Sequence, residues 1–309
     1  MALREYLATE VALDHVEGHL SRREALHKLG LLGLSTVAAS SLLASCASET
    51  APPAAPASGA ASAAAPSASA PATPAFAPDY DVAAARGRTE DVTFPGGTGT
   101  MSGAYAAVDS ARGAVLVVHE NRGLTDHIRS VAGRLAGDGY AALAPDLLSR
   151  AGGTAAAQDA TAVLGGISTP DLVTDIRSAL DELKSRVSGV KLGMVGFCFG
   201  GGMTWQTLNS GPSDLAAAVP FYGPAPDAPT FSGSQAAVLG VFAEKDARVN
   251  AGKDKLEAAL TAAGLTHELV TVPGVDHAFF NDTGPRYNDA AAAQIYQRVL
   301  AWFGTHLAG

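Results

Sequence analysis

Lys191-Leu192-Gly193-Met194-Val195-Gly196-Phe197-Cys198-Phe199-Gly200-Gly201-Gly202 is the stretch on which the fold of this chain turns. Its first seven residues form a nearly continuous apolar run, as expected of a strand buried on both faces. The run ends in Gly-x-Cys-x-Gly, the form of a sharp strand-to-helix turn that carries a nucleophile. Such a turn strains the backbone of its central residue, and flanking glycines let neighbouring chain approach without a Cβ clash. Cys198 would then stand at a helix N-terminus, whose partial positive charge favours a thiolate. The amide of Phe199 would point to where an oxyanion develops. Taken alone, the five residues fit equally well a small core cysteine between packing glycines. No Gly-x-Ser-x-Gly competes elsewhere in the chain.

Outward from this turn the pattern repeats. Apolar runs predict buried strands at 114–118, 140–143, 216–221, 236–242 and 267–272, preceded by a short β-like pair at 92–94 and 101–107. Helical patterns fall at 128–136, 171–187, from Phe199 onward, at 253–263 and at 290–306. The 171–187 segment carries Leu172, Val173, Ile176, Leu180, Leu183 and Val187 on one stripe. Continuous apolar strands alternating with helices predict an α/β domain over 79–309, with a mostly parallel sheet covered on both faces. The small-residue segment 151–170 is too short for a substantial lid domain.

A cysteine nucleophile needs a base and a group to orient it, and in this architecture they follow late strands in the order nucleophile, acid, base. The 236–242 strand runs into Ala243-Glu244-Lys245-Asp246, and the 267–272 strand into Pro273-Gly274-Val275-Asp276-His277. His277 is the expected proton carrier, and Asp246 the carboxylate that fixes its tautomer and stabilises the imidazolium. Glu244 and Asp276 compete for the acid role.

The 309 residues carry a net charge of −9 and no basic run in the second half, which argues against nucleic acid as a partner. The eight histidines form neither HExxH nor any companion to a CxxC, so no metal site is expected. The two cysteines, Cys46 and Cys198, lie in separate contexts, and a disulfide between them is not expected.

The first 46 residues are expected to be an address. Ser21-Arg22-Arg23, with Leu26 and Lys28, opens a twin-arginine pattern. The almost uncharged stretch 29–44 that follows is about 16 residues, short of the roughly 20 that span a bilayer but suited to a signal segment. It ends in Leu43-Ala44-Ser45-Cys46, which resembles a bacterial lipobox in which the cysteine is lipidated. Export to the periplasm or outer envelope, with a membrane link only through a lipid on Cys46, is the expectation. Residues 47–78, almost entirely Ala, Pro and Ser, cannot bury enough surface to offset their ordering entropy. They are expected to be a disordered tether with a reach on the order of 100 Å. The role of residues 1–20 is not legible.

Several of these stretches, with a few more, resemble the dienelactone hydrolase (carboxymethylenebutenolidase) family over most of 90–305. The carriers are Val118-His119-Glu120-Asn121-Arg122-Gly123-Leu124, Tyr140-Ala141-Ala142-Leu143-Ala144-Pro145-Asp146, Gly196 to Gly202, Tyr222-Gly223, Asp246, and His277-Ala278-Phe279-Phe280-Asn281-Asp282. The resemblance implies an α/β-hydrolase fold and hydrolysis of a small-molecule ester or lactone through a covalent acyl-thioester, with no cofactor. It implies that Glu120 takes the thiol proton when substrate arrives, so that the resting cysteine is protonated. It also implies that the Asn121 amide is a second oxyanion donor beside Phe199.

One departure bears on substrate. The family holds its lactone's carboxylate with arginines, one of them four residues after the catalytic histidine, where this chain has Asn281. No counterpart to the other follows Arg150. Arg122, Arg286, Tyr222 and Trp205 are the candidates for contacting substrate. Two alternatives stand beside hydrolysis: an envelope binding protein that kept the fold but not the turnover, and acyl transfer to an acceptor other than water.

Overall fold

The computed structural model describes residues 3–49, 82–211 and 214–308. The tether expected at 47–78 lies outside the described residues beyond Glu49. Three helices, α1 (Leu3–Val16), α2 (Arg22–Leu31) and α3 (Thr36–Glu49), precede the domain, which opens with the short α4 (Val82–Arg86). The antiparallel pair β1 (Glu90–Gly96) and β2 (Gly99–Ala106) leads to β3 (Ala114–Val118), α5 (Asp126–Gly137) and β4 (Ala141–Pro145). Then come α6 (Ala160–Gly166), α7 (Thr169–Arg186), β5 (Leu192–Phe197), α8 (Phe199–Asn209) and β6 (Leu215–Phe221). The chain closes with β7 (Ala237–Ala243), α9 (Ala247–Asn250), α10 (Lys253–Ala262), β8 (His267–Val272) and α11 (Asp289–His306).

The eight strands form one sheet in the order β1-β2-β4-β3-β5-β6-β7-β8. β2 joins β4 antiparallel, and every pairing from β4 to β8 is parallel. Every residue of β3, β4, β5 and β7 is buried, as the continuous apolar runs require when helices cover both faces. On α7 the predicted stripe faces the core: Leu172, Val173, Ile176, Leu180 and Leu183 are buried, each such side chain contributing about 2 kcal/mol of transfer free energy. Ser168 caps this helix by accepting from the Asp171 amide, and Pro170 sits in its first turn where no N–H is needed.

Parallel strands put their C-terminal ends on one edge of the sheet, where ligands bind in such folds. Glu120 follows β3, Cys198 follows β5, Asp246 follows β7 and His277 follows β8. That shared edge brings together residues as far apart in sequence as 120 and 277.

The amino-terminal segment is helical. The apolar stretch is divided into α2 and α3 at Gly33, whose φ of 78° suits glycine. None of the described helices is long and apolar enough to cross a membrane. The three helices pack on one another, and α1 and α2 also on α6. A Cβ at Gly165 would lie 2.5 Å from the tip of the Leu32 side chain, so the bundle seats closely on α6 there. Tyr6, Leu7, Ala12, Ala25 and Leu29 are fully buried as a result.

Candidate active site

At the end of β5 the backbone turns through Cys198 with φ 56° and ψ −115°, a conformation that costs a non-glycine residue roughly 1–3 kcal/mol. The surrounding glycines are imposed by chain crossing. A Cβ on Gly200 would stand 2.3 Å from the Val118 carbonyl oxygen, and one on Gly196 would stand 2.2 Å from that of Gly200. The Cys198 amide donates to the Phe221 carbonyl at 3.1 Å, tying the turn to β6. Phe199 begins α8, so its amide has no acceptor within the helix.

Of the three carboxylates open to the acid role, only Asp246 meets the imidazole. Its Oδ2 lies 2.5 Å from Nδ1 of His277, and its Oδ1 accepts from the Val249 amide. Glu244 instead accepts from the Gly274 amide, and Asp276 pairs with Lys245 at the surface. With Nδ1 turned to Asp246, Nε2 is left for the thiol: a His277 ring nitrogen, the Cys198 Sγ and a Glu10 carboxylate oxygen all lie within 4.8 Å of one another.

Burial draws the His277 pKa down, but the carboxylates of Glu10 and Asp246 outweigh it and hold the ring well above its ordinary value. Burial pushes Asp246 up, yet the facing imidazolium keeps it below the usual carboxylate range. For Cys198 burial comes first and Glu10 second; both raise the thiol, against a smaller lowering by His277. Both effects favour the protonated thiol over the thiolate. The helix N-terminus does not make it a thiolate, because desolvation and a facing carboxylate oppose that partial charge.

Glu120 is 6% exposed at the floor of the same pocket. Its partner is the Asn281 side-chain amide, which donates to Oε2, and not the neighbouring Arg122. Asn121, Arg122 and Arg286 line the pocket, Arg122 from an exposed position. Trp205 and Tyr222 do not line it. Trp205 is buried against Phe231 on the core side of α8, and Tyr222 packs against the His277 ring, 4.9 Å centroid to centroid. Apolar area next to the turn goes to the core, which corrects the substrate-contact expectation for these two residues. Cys46 is buried in α3.

The loop that carries His277 is anchored from behind. Asp282 accepts from His127 at 2.7 Å and from Arg134, both on α5. Burial would raise Asp282, but these two partners hold it below the usual carboxylate range. His119 is fixed in the same way: the Leu147 amide donates to Nε2, so Nδ1 carries the proton and donates to the Glu120 carbonyl at 2.6 Å. Burial keeps that ring neutral.

Three further residues reach the site without any signal in the sequence motif. Tyr6 places its hydroxyl 3.2 Å from Cys198 Sγ, and Glu10 sets Oε2 3.7 Å from His277 Nε2. Arg248, on α9 just after Asp246, pairs with Glu10 and lies 4.5 Å from the Tyr6 ring centre. The pocket that remains is about 160 Å³, lined by Glu10, Glu120, Asn121, Cys198, His277 and Arg286 among others. Among the described residues, Glu10, Cys198 and His277 form the one set placed to share a metal ion, although Arg248 already neutralises that carboxylate.

The chain and its fold have counterparts in known proteins. The dienelactone hydrolase family model matches residues 101–307. A protein assigned as a carboxymethylenebutenolidase from Salmonella typhi is 32% identical over 216 residues, covering 65% of this chain and 80% of its own length. One from Synechocystis is 30% identical over 241 residues, covering 71% of this chain and 98% of its own. Among solved structures, a protein assigned as a dienelactone hydrolase from Klebsiella pneumoniae superposes with a TM-score of 0.63 at 29% identity, over 71% of this chain and 98% of that one. A dienelactone hydrolase-like promiscuous phosphotriesterase from metagenomic libraries gives 0.62 at 25% identity over the same shares. The chain belongs to the dienelactone hydrolase family and has its α/β-hydrolase fold.

Proposed function

We propose that this hydrolase cleaves carboxylic esters or lactones through Cys198, His277 and Asp246, with Glu120 as an accessory proton acceptor. The observation that carries the reading is the alignment of Asp246 Oδ2, 2.5 Å from His277 Nδ1, with the other side of the ring turned to Sγ.

Sγ attacks the acyl carbon, and its proton passes to His277, directly or by way of Glu120, so that the ring becomes the imidazolium. The carbonyl electrons move onto oxygen, held by the amides of Phe199 and Asn121. The tetrahedral intermediate collapses, the C–O bond to the leaving alkoxide breaks, and the imidazolium protonates that alkoxide. The product is a thioester on Cys198. Water, losing a proton to His277, attacks the thioester; a carboxylic acid leaves and the thiol is regenerated. A thiol nucleophile favours activated esters and enol-lactones, whose leaving groups depart easily, over amides. Asn281 stands where the family's carboxylate-binding arginine would be, so a substrate carboxylate is not required at that position.

The expected destination is the cell envelope. Arg22 and Arg23 are both exposed at the start of α2, where Ser21 and Glu24 form a capping box, so the twin-arginine pair is open to a receptor. Cleavage before Cys46 and its lipidation would leave the hydrolase on a tether. A Cys46→Ala variant is expected to leave the membrane fraction; retention there would refute the anchor.

The hydrolysis itself is tested on aryl esters and lactones with and without a free carboxylate. Cys198→Ala is expected to lose several orders of magnitude in rate. Retention of more than a small fraction of esterase activity would remove Cys198 as nucleophile.

A further inference from the structure

The family match begins at residue 101, so α1 lies outside it, yet α1 reaches both Cys198 and His277. Tyr6 covers the sulfur that must attack the substrate, and Glu10 faces the ring nitrogen that must take a proton. Both side chains are buried, at 0% and 4% exposure. The helix is held on the catalytic domain by charge as well as by apolar packing. Glu10 pairs with Arg248, and Asp14 and Glu17 both pair with Arg286, at 2.7 and 2.6 Å. Acidic side chains on one helix face thus engage two arginines that flank the pocket.

None of these contacts suits turnover. A hydroxyl 3.2 Å from Sγ occupies space that an acyl carbon needs. A carboxylate beside Nε2 favours the imidazolium, which cannot accept a proton from the thiol, and a second effect of the same carboxylate is to make the thiol a weaker acid.

We propose that α1 is a built-in inhibitor of this active site, docked on it in the full chain and released when residues 1–45 are cut away. The inference rests on the proposed nucleophile and on processing before Cys46. The cut is peptide-bond hydrolysis by an envelope peptidase, with one water consumed. Afterwards nothing covalent holds α1 against Arg248 and Arg286. The enzyme would be silent while it carries its address and active once delivered.

The test uses the full chain and two readouts: alkylation of Cys198 by iodoacetamide, mapped by mass spectrometry to separate it from Cys46, and hydrolysis of p-nitrophenyl acetate. Tyr6→Ala with Glu10→Gln is expected to raise both rates at least tenfold. Removing Glu10 also makes the thiol more acidic, so Asp14→Asn with Glu17→Gln provides the control. That pair loosens the helix at Arg286, away from the sulfur, and is expected to raise both rates in the same direction. A synthetic peptide of residues 1–20 added to this loosened variant is expected to slow both again.

Alkylation unchanged in both variants would overturn the proposal, as would faster alkylation with slower hydrolysis, which would make α1 a contributor to catalysis. Faster alkylation with no hydrolysis in any form would uphold the docking of α1 and sink the esterase reading instead.

Discussion

The side-chain amide of Asn281 donates to the carboxylate of Glu120, joining the loop after β8 to the loop after β3 across 161 residues of sequence. The bond occupies one oxygen of Glu120 and leaves Oε1 buried without a hydrogen-bond partner. An ordered carboxylate with one open oxygen, beside a buried thiol, is placed to receive a proton. Asn281→Asp would set a second carboxylate against it and discourage ionisation of both. The expected outcome is a loss of about tenfold to a hundredfold in kcat/KM on an aryl ester. Asn281→Gln should retain more activity than Asn281→Asp.

Asp246 fixes the tautomer of His277, and the loss of that function should exceed the loss of one hydrogen bond. Asp246→Asn can present a donor to Nδ1 and so favour the tautomer with its proton on Nε2, where it cannot accept from the thiol. A fall in kcat of roughly a thousandfold or more is expected, with little change in KM, measured by steady-state kinetics.

The pH profile should move when Glu10 is neutralised. The proposed mechanism needs the base form of His277, and its pKa is held well above the ordinary value because Glu10 and Asp246 outweigh burial. The rate of the full chain therefore rises with pH until that raised pKa is passed. Glu10→Gln removes one of the two carboxylates, lowers the pKa and shifts the acidic limb of kcat/KM to lower pH. Asp246 and the thiol remain in place, so the limb moves without disappearing.

Asp282 contributes to stability through His127 and Arg134. Breaking a buried pair by removing one partner costs on the order of 3 kcal/mol. Asp282→Ala is expected to lose about that much in urea denaturation at neutral pH. Because the folded-state pKa is depressed, the contribution is present above the unfolded value of about 4 and is lost as pH falls through the folded value. The gap between wild type and variant should therefore narrow below about pH 4.

Gly200→Ala should prevent the turn from forming as it stands. The added methyl would lie 2.3 Å from the Val118 carbonyl oxygen, a backbone atom in the middle of the sheet that cannot swing aside. Loss of activity together with a drop in thermal midpoint is expected, in contrast to Cys198→Ala, which should lose activity with its midpoint little changed.

Much of the fold was determined by the sequence alone. Continuous apolar runs bounded by turn residues mark strands covered on both faces, and β3, β5, β6, β7 and β8 fall within a residue or so of where those runs predict them. The turn at Cys198 was legible because its pattern is short: Gly196 is dictated by the Gly200 carbonyl four residues on, whereas the reason for Gly200 itself, the Val118 carbonyl of β3, is a tertiary contact. The placement of Asp246 and His277 after successive strands followed from the same local patterns and the fixed polarity of a parallel sheet. Asp246 was the expected acid and is the one that meets the ring, but local sequence left Glu244 and Asp276 in competition. All three lie within a few residues of a strand end, and only the packed loops decide which carboxylate meets the ring. Trp205 and Tyr222 show the same limit, since proximity to the turn in sequence does not say which face of α8 or β6 looks into the pocket. Tyr6, Glu10 and Arg248 were beyond sequence reading altogether. Their meeting with Cys198 and His277 depends on how the amino-terminal helices seat on the catalytic domain, and neither periodicity nor motif encodes where two surfaces so distant in the chain will touch.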